Sequence, residues 1–243
     1  MDTWRLIDSG FKDAAYTAAA DEAMLIARNE RSAPSTLHLY RRDAPAVSLG
    51  YFQKVRECVD LTVAREKGVS IVRRMSGGSA IYTDKGQLIY SLIADEDELP
   101  GTAEDVFDKI CGVLIDALSS FGIEAEHHRP NDVLVGGRKI SGSAQARRGR
   151  CVAQHGTILV DTDLALMNRV LPSAKRAIDG MTTMALELGY SPSMDSVAKA
   201  LVDSFQRGFD VRIVEGRLSD VEERLTARLI ETKHSAEEYI FMR

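Results

Sequence analysis

Apolar and polar positions change period several times along the chain, and each change marks an element. TWRLI (3–7) and LHLYRR (37–42) have the β-rich composition of strands, and AVSLGYF (46–52) predicts another beyond the turn Asp43-Ala44-Pro45. Between the first two, the alanine-rich stretch from Ala14 to Asn29, with Met24, Leu25 and Ile26 towards its buried end, predicts a helix. VSIVRR (69–74) predicts a strand that delivers Arg73 and Arg74 to its end, and AIYT (80–83) is expected to pair with QLIYSLIA (87–94). The clearest helix begins at Thr102. Thr102 and Asp105 have capping-box spacing, and Val106, Ile110, Val113, Leu114, Ala117 and Leu118 form one apolar face. Gly122 supplies the left-handed residue that stops it. IEAEH (123–127) and HGTILVD (155–161) read as strands and DLALMNRVL (163–171) as a short helix. Met194 to Phe209, and the stretch after Ser219 with Glu222 as box partner, read as two more helices. The expectation is one α+β domain over residues 1–243, a mixed β-sheet with flanking helices, and a helical C-terminal subregion over 190–243.

DVLVGGRKIS (132–141) has the pattern of a two-residue hairpin, because Gly136 and Gly137 can take the positive φ values that a type I′ turn needs. Val135 then opposes Arg138, Leu134 opposes Lys139, Val133 opposes Ile140 and Asp132 opposes Ser141. Alternation puts Val133, Val135 and Ile140 on a core face, and Asp132, Leu134, Lys139 and Ser141 on the other. Lys139 and Asp132 become diagonal neighbours, roughly 7–8 Å apart between backbones. One reading is a surface hairpin with a weak ion pair; the other is a ligand site, since Gly142, Ser143 and Ala144 leave the following backbone open.

RRMSGGSAIYTDKG (73–86) repeats that logic, with Arg73 and Arg74 running into Ser76-Gly77-Gly78-Ser79. Such arginines are either solvated at a strand end or neutralise an anion cradled by bare amides. Asp132 is a candidate Mg²⁺ ligand beside phosphates. The residue types fit a nucleotide site although neither G-x-x-x-x-G-K-[ST] nor G-x-G-x-x-G occurs.

Composition narrows the field. A net charge of -5 argues against a general nucleic-acid or membrane-surface binder. Cys58, Cys111 and Cys151 form neither a CxxC nor an even framework, which suits a reducing cytoplasm. The first residues lack a signal-peptide pattern and no run of 18 apolar residues occurs, so a cytoplasmic setting is expected.

SLGYFQ (48–53), RRMSGGSAIYTDKG (73–86), NDVLVGGRKISGSAQ (131–145) and QHGTILVDTDL (154–164), in that order and spacing, resemble the lipoate–protein ligase family. The resemblance runs from TWRLIDSG to ETKHSAEEY. It implies a class II aminoacyl-tRNA synthetase/biotin–lipoate ligase-like catalytic domain, shared with octanoyltransferases. It also implies a chemistry: ATP and Mg²⁺ convert lipoate or octanoate to acyl-AMP, and the acyl group passes to a lysine of a lipoyl domain or glycine-cleavage H-type protein. On this resemblance Lys139 contacts the acyl-adenylate. Arg74 and Ser79-Ala80-Ile81-Tyr82 match nucleotide-contacting positions, and Asn131 and Asp132 match the pair near adenylate and metal. Gly77 and Gly78 line the lipoyl tunnel and His155 is near the acyl group, while Ser143 and Ala144 are binding candidates because their small side chains let a ligand approach the backbone. From the residues alone, His155 reads equally as a strand-end histidine bonded to backbone.

Departures from the family pattern are Ser79 for a third glycine, Thr83 for a histidine and Gln87 for an asparagine. The accessory domain of larger ligases is absent from the sequence, so a separate accessory subunit is an expected partner. The competing class is an octanoyl- or lipoyltransferase with a cysteine acyl-enzyme. Neither place where such enzymes carry the thiol has one here: His127 to Asp132 precedes the hairpin, and LPSAKRAIDG (171–180) follows the last short helix. Cys151, beside Arg147, Arg148 and Arg150, is the remaining nucleophile candidate. Biotin–protein ligase and a non-catalytic lipoate-binding protein are the further alternatives.

Overall fold

The structure is a computed structural model that describes residues 2–99, 101–172 and 180–242. Its main body is an eight-stranded mixed sheet. Strands β1 (Asp2–Lys12), β2 (Thr36–Arg42), β6 (Gln87–Asp95), β7 (Glu126–His128), β8 (Asp132–Val135), β9 (Arg138–Arg148), β10 (Cys151–Leu159) and β11 (Val211–Glu215) take the order β11-β1-β2-β6-β10-β9-β8-β7. The β11-β1-β2 edge is parallel and every later pairing is antiparallel. A second sheet of β4 (Ser70–Arg73), β3 (Ala46–Leu49) and β5 (Ile81–Thr83) stands beside it.

Helices cover both faces of the large sheet. One carries α4 (Ala103–Ser119), where Thr102 and Asp105 form the capping box and Gly122 follows at φ +78°. Val106, Ile110, Val113 and Leu114 of α4 join Leu201 and Phe205 of α7 (Met194–Phe209) in the main core. Trp4 closes that core against Phe209, with ring centroids 5.0 Å apart. The other face carries α1 (Ala14–Asn29), whose alanines Ala19, Ala20, Ala23 and Ala27 are buried, and which packs on α8 (Asp220–Leu229). The short helices α2 (Val55–Cys58), α3 (Leu61–Glu66) and α5 (Leu164–Val170) build a separate cluster with the small sheet. Helices α6 (Met184–Leu188) and α9 (Glu237–Ile240), a 3-10 turn at Glu96–Glu98 and a π turn at Ile230–His234 complete the described elements.

The expected α+β class and mixed sheet are present, with three departures. Residues 81–83 pair with β3 rather than with β6, so the segment after the Ser-Gly-Gly-Ser turn belongs to the small sheet. Likewise β2 and β3, adjacent in sequence, lie in different sheets. The stretch 190–243 is not wholly helical: β11 lies within it and pairs in parallel with β1, bringing a late segment to the first strand.

Candidate functional site

The β8–β9 hairpin turns on Gly136 and Gly137, both at positive φ, and keeps Leu134 opposite Lys139 as the pattern requires. Beyond that pair the register slips by one. Val133 faces Ser141 and Asp132 faces Gly142, so Ile140 is the extra residue of a β-bulge. Val133, Val135 and Ile140 are still buried. The Lys139 Nζ lies 2.6 Å from Asp132 Oδ1, and both side chains are only partly covered. Gly142 makes this possible: a Cβ there would lie 2.6 Å from Lys139 Nζ and 3.0 Å from Asp132 Oδ1. The main chain of Lys139 is held by Gly180 and Thr182 in an isolated parallel bridge centred on Met181.

Facing this hairpin is the Ser76–Ser79 turn. A Cβ on Gly78 would be 3.9 Å from the Ala144 side chain, so the two small-residue segments converge. Gly78 has φ +90°, and Gly50 beneath it has no room for any side chain, because a Cβ would sit 1.9 Å from the Gly78 carbonyl oxygen. The Arg74 guanidinium holds the turn. It donates to the carbonyls of Ser48, Gly77 and Ser79 and to Ser76 Oγ. Burial lowers its pKa to about 10, so it remains cationic at neutral pH. Ser76 Oγ in turn lies 2.7 Å from His155 Nε2 on β10. Burial and then the Arg74 charge push the His155 pKa down to about 4, leaving a neutral ring whose Nε2 shares a hydrogen bond with the serine hydroxyl.

Arg73 goes elsewhere. Its guanidinium is fully buried and donates to the carbonyls of Gly50, Tyr51, Gln53, Tyr239 and Ile240, and it is not among the residues lining the cavity. The expected phosphate contact is replaced by a tie between the loop after β3 and the C-terminal segment. Asn131 is also partly occupied: its amide donates to the carbonyl of Ser143, whose N–H donates back.

The two segments and the two sheets enclose a cavity of about 550 Å³. It takes in Arg74, Gly77, Gly78, Ser79, Ala80, Ile81 and Tyr82 from the turn and small sheet, and Asn131, Asp132, Lys139, Ser143, Ala144 and His155 from the large one. Residues not anticipated as site residues complete the wall. Asp21 on α1 receives His38 Nδ1 at 2.8 Å and the Tyr40 hydroxyl at 3.3 Å. Arg42 on β2 bonds Thr83 Oγ1 at 3.0 Å and Thr17 Oγ1 at 2.5 Å. The apolar side chains of Leu159, Met167, Leu171 and Met181 line another part. Ser141 also lines the cavity, and its buried hydroxyl has no hydrogen-bond partner among the described residues. Alternation put Ser141 on the Lys139 face; the cavity residues of α1 and β2 gave no local signal, since they sit in elements that read as core.

No cysteine lines the cavity. Cys111 is in the main core, where burial drives its thiol up to about 12; Cys151 is buried among apolar residues and its pKa is raised, chiefly by burial. Cys58 lies in α2 and is also raised by burial. At Cys151 burial outweighs the nearby cations Arg28 and Arg150, and the Arg150 side chain is bound to Asp95 at 2.6 Å. In LPSAKRAIDG, residues 173–179 lie outside the described residues. Among the described residues no three His, Cys, Asp or Glu side chains gather as a metal cluster.

The cavity is thus framed by glycine turns, with a lysine and a paired carboxylate at one wall. Residues 13–206 match the Lipoyl protein ligase A/B catalytic domain, and the chain belongs to that family. Octanoyltransferase LipM of Kyrpidia tusciae is 31% identical over 272 residues, covering 98% of both chains. Further relatives carry the same name, and they favour the transferase alternative over an ATP-dependent ligase. Among solved structures, a bi-partite lipoate protein ligase from Thermoplasma acidophilum superposes with a TM-score of 0.89 at 27% identity, over 99% of this chain and 97% of that one. A lipoate-protein ligase A bound with ATP superposes at 0.88 and 27%, over 99% of each. The lipoyl-transfer family and the fold expected from the sequence are thereby established. Among the described residues no helix is long and apolar enough to cross a membrane.

Proposed function

We propose that the chain is a lipoate–protein ligase. It activates lipoate or octanoate with MgATP and passes the acyl group to a lysine of an apo lipoyl domain or glycine-cleavage H-type protein. The carrying observation is the absence of any thiol from the cavity wall, beside a lysine whose ammonium has Asp132 as its ion-pair partner. An acyl-enzyme on cysteine needs a nucleophile in reach of the substrate; adenylation needs cations and amides around developing negative charge. In the proposed reaction the carboxylate oxygen attacks the α-phosphorus and pyrophosphate leaves. The acceptor amine then attacks the acyl carbon and AMP leaves. Lys139 neutralises the oxygens at that junction, while Arg74 keeps the glycine turn and its amides in place. Asp132 would hold Mg²⁺ through the nucleotide, a fit for an ion that takes one or two carboxylates and completes its shell with phosphates and water. The acyl chain runs under Gly77 and Gly78, past His155 and Ala18, towards α1 and β2. A lipoyl-domain acceptor is supported by the Thermoplasma acidophilum neighbour, described with its E2 lipoyl domain.

The second reading is an octanoyltransferase, favoured by the name of the curated relatives. The acyl group would then arrive already activated on a carrier protein and pass to the acceptor without ATP. Pyrophosphate release from MgATP, by the chain alone with lipoate or octanoate, separates the two. Acid-dependent release supports the ligase. No release, together with transfer from octanoyl-carrier protein to an apo acceptor, replaces it by the transferase. Loss of that transfer in Cys151→Ser would restore a cysteine mechanism, and silence in both assays would point to a required accessory subunit.

A further inference from the structure

The end of the cavity between α1 and β2 is not the hydrocarbon wall that a plain fatty chain would favour. Arg42 lines it, is 4% exposed, and stacks over the Tyr40 ring at 5.2 Å. Its neighbours are mutually satisfied. Both Asp21 oxygens are taken, by His38 and Tyr40, and Thr17 and Thr83 accept from Arg42. Arg42 Nε and Nη1 are thus employed, whereas Nη2 of this cavity-lining residue makes no hydrogen bond among the described residues. Thr83 is one of the three positions where the sequence departs from the family pattern, and its hydroxyl, with that of Thr17, orients Arg42.

We propose that Arg42 is a specificity-determining residue that reads the far end of the acyl chain, and that it selects a terminus bearing hydrogen-bond acceptors, the dithiolane of lipoate, over the bare methyl end of octanoate. The inference rests on the acyl placement given above. A hydrocarbon end pressed against Nη2 strips water from a charged donor and returns nothing. Divalent sulfur is polarisable and a weak acceptor, so the dithiolane offsets part of that cost. No turnover is needed for the effect, which is one of binding.

Isothermal titration of lipoate and of octanoate into the wild-type chain and into Arg42→Met, with MgATP titrated separately, tests this. Wild type is expected to bind lipoate about tenfold more tightly than octanoate, the size of one unmet donor. Arg42→Met is expected to bring the ratio near one, chiefly by a gain for octanoate. Should that variant fold poorly, Thr83→Val, which removes one of the two hydroxyls that hold Arg42, is expected to narrow the ratio in the same direction. A wild-type ratio near one, or a ratio untouched by both variants, would overturn the role of Arg42 while leaving the acyl site standing. Weakened MgATP binding with both acids unaffected would assign Arg42 to the nucleotide and overturn the proposal too. Binding of neither acid, with or without MgATP, would bring down the ligase reading itself.

Discussion

Two segments of this chain look alike as sequence: Arg73-Arg74 before Ser-Gly-Gly-Ser, and Lys139 before Gly-Ser-Ala. Folded, they differ in what their cations have left to give. Arg73 donates to five main-chain carbonyls and Arg74 to three carbonyls and a serine, so their charge is spent within the protein. Lys139 has a single ion-pair partner, Asp132, and stays partly exposed to the cavity. Arginine's fixed fork suits it to gather carbonyls from separate loops, while lysine's compact ammonium can exchange one partner for another. On the proposed function, the arginine segment shapes the site and the lysine segment does its chemistry.

Substitutions should separate these roles cleanly. Lys139→Met is expected to lower kcat/KM for acyl activation by about 10²–10³ and to shift urea unfolding by no more than about 1 kcal/mol, since the pair is partly solvated. Arg73→Met should do the reverse. Stranding five carbonyls is expected to cost about 3 kcal/mol or more of stability, read from the urea midpoint, with the folded fraction keeping most of its activity. Equal damage to rate and stability in either variant would erase the distinction. Gly142→Ala sharpens it, because its methyl collides with the ends of two flexible side chains rather than with backbone. The expected result is about a tenfold loss of rate from a displaced ammonium at nearly unchanged stability. The smallest effect concerns pH. Burial would raise the Glu22 pKa, but hydrogen bonds from His234 and Lys233 outweigh it and hold the carboxyl at about 2. Because the folded value lies below the unfolded one of 4.5, this stabilisation is complete above about pH 4.5 and fades as pH falls towards 2. Urea midpoints should drop over that window, and the drop should flatten in Glu22→Gln.

Local signals carried much of the fold. Ala14–Asn29 and Met194–Phe209 are helical at the bounds that composition and caps imply, and the Gly136-Gly137 turn set the first two hairpin pairs. Non-local facts did not show in the pattern. The bulge at Ile140 depends on packing across the hairpin, and β11 is a half-exposed edge strand whose partner lies at the other end of the chain. Residues 81–83 had two plausible partners, and the choice of β3 follows from the anchoring of the intervening turn by Arg74. Of the anticipated site residues, all but Arg73 reach the cavity wall; nothing local distinguishes it from Arg74, because the carbonyls that claim it come from residues 50–53 and 239–240. Asp21 and Arg42 were hidden for a related reason: they sit on elements whose apolar neighbours announce only a core.

The grip of Arg73 on Tyr239 and Ile240 also imposes an order of events. The arginine and those carbonyls are separated by 166 and 167 positions, so their meeting closes a long loop. Until the segment around Ile240 docks, a guanidinium destined for complete burial keeps its water, and the loop from Gly50 to Gln53 lacks its hub. The β1–β11 pairing spans a still longer stretch of chain, whereas the other strand pairings are of shorter range; the loop from Gly50 to Gln53 gains its hub only after those can form. Ordering of the loop beneath the Gly78 turn is in this sense a late event in folding, timed by a contact outside the cavity wall.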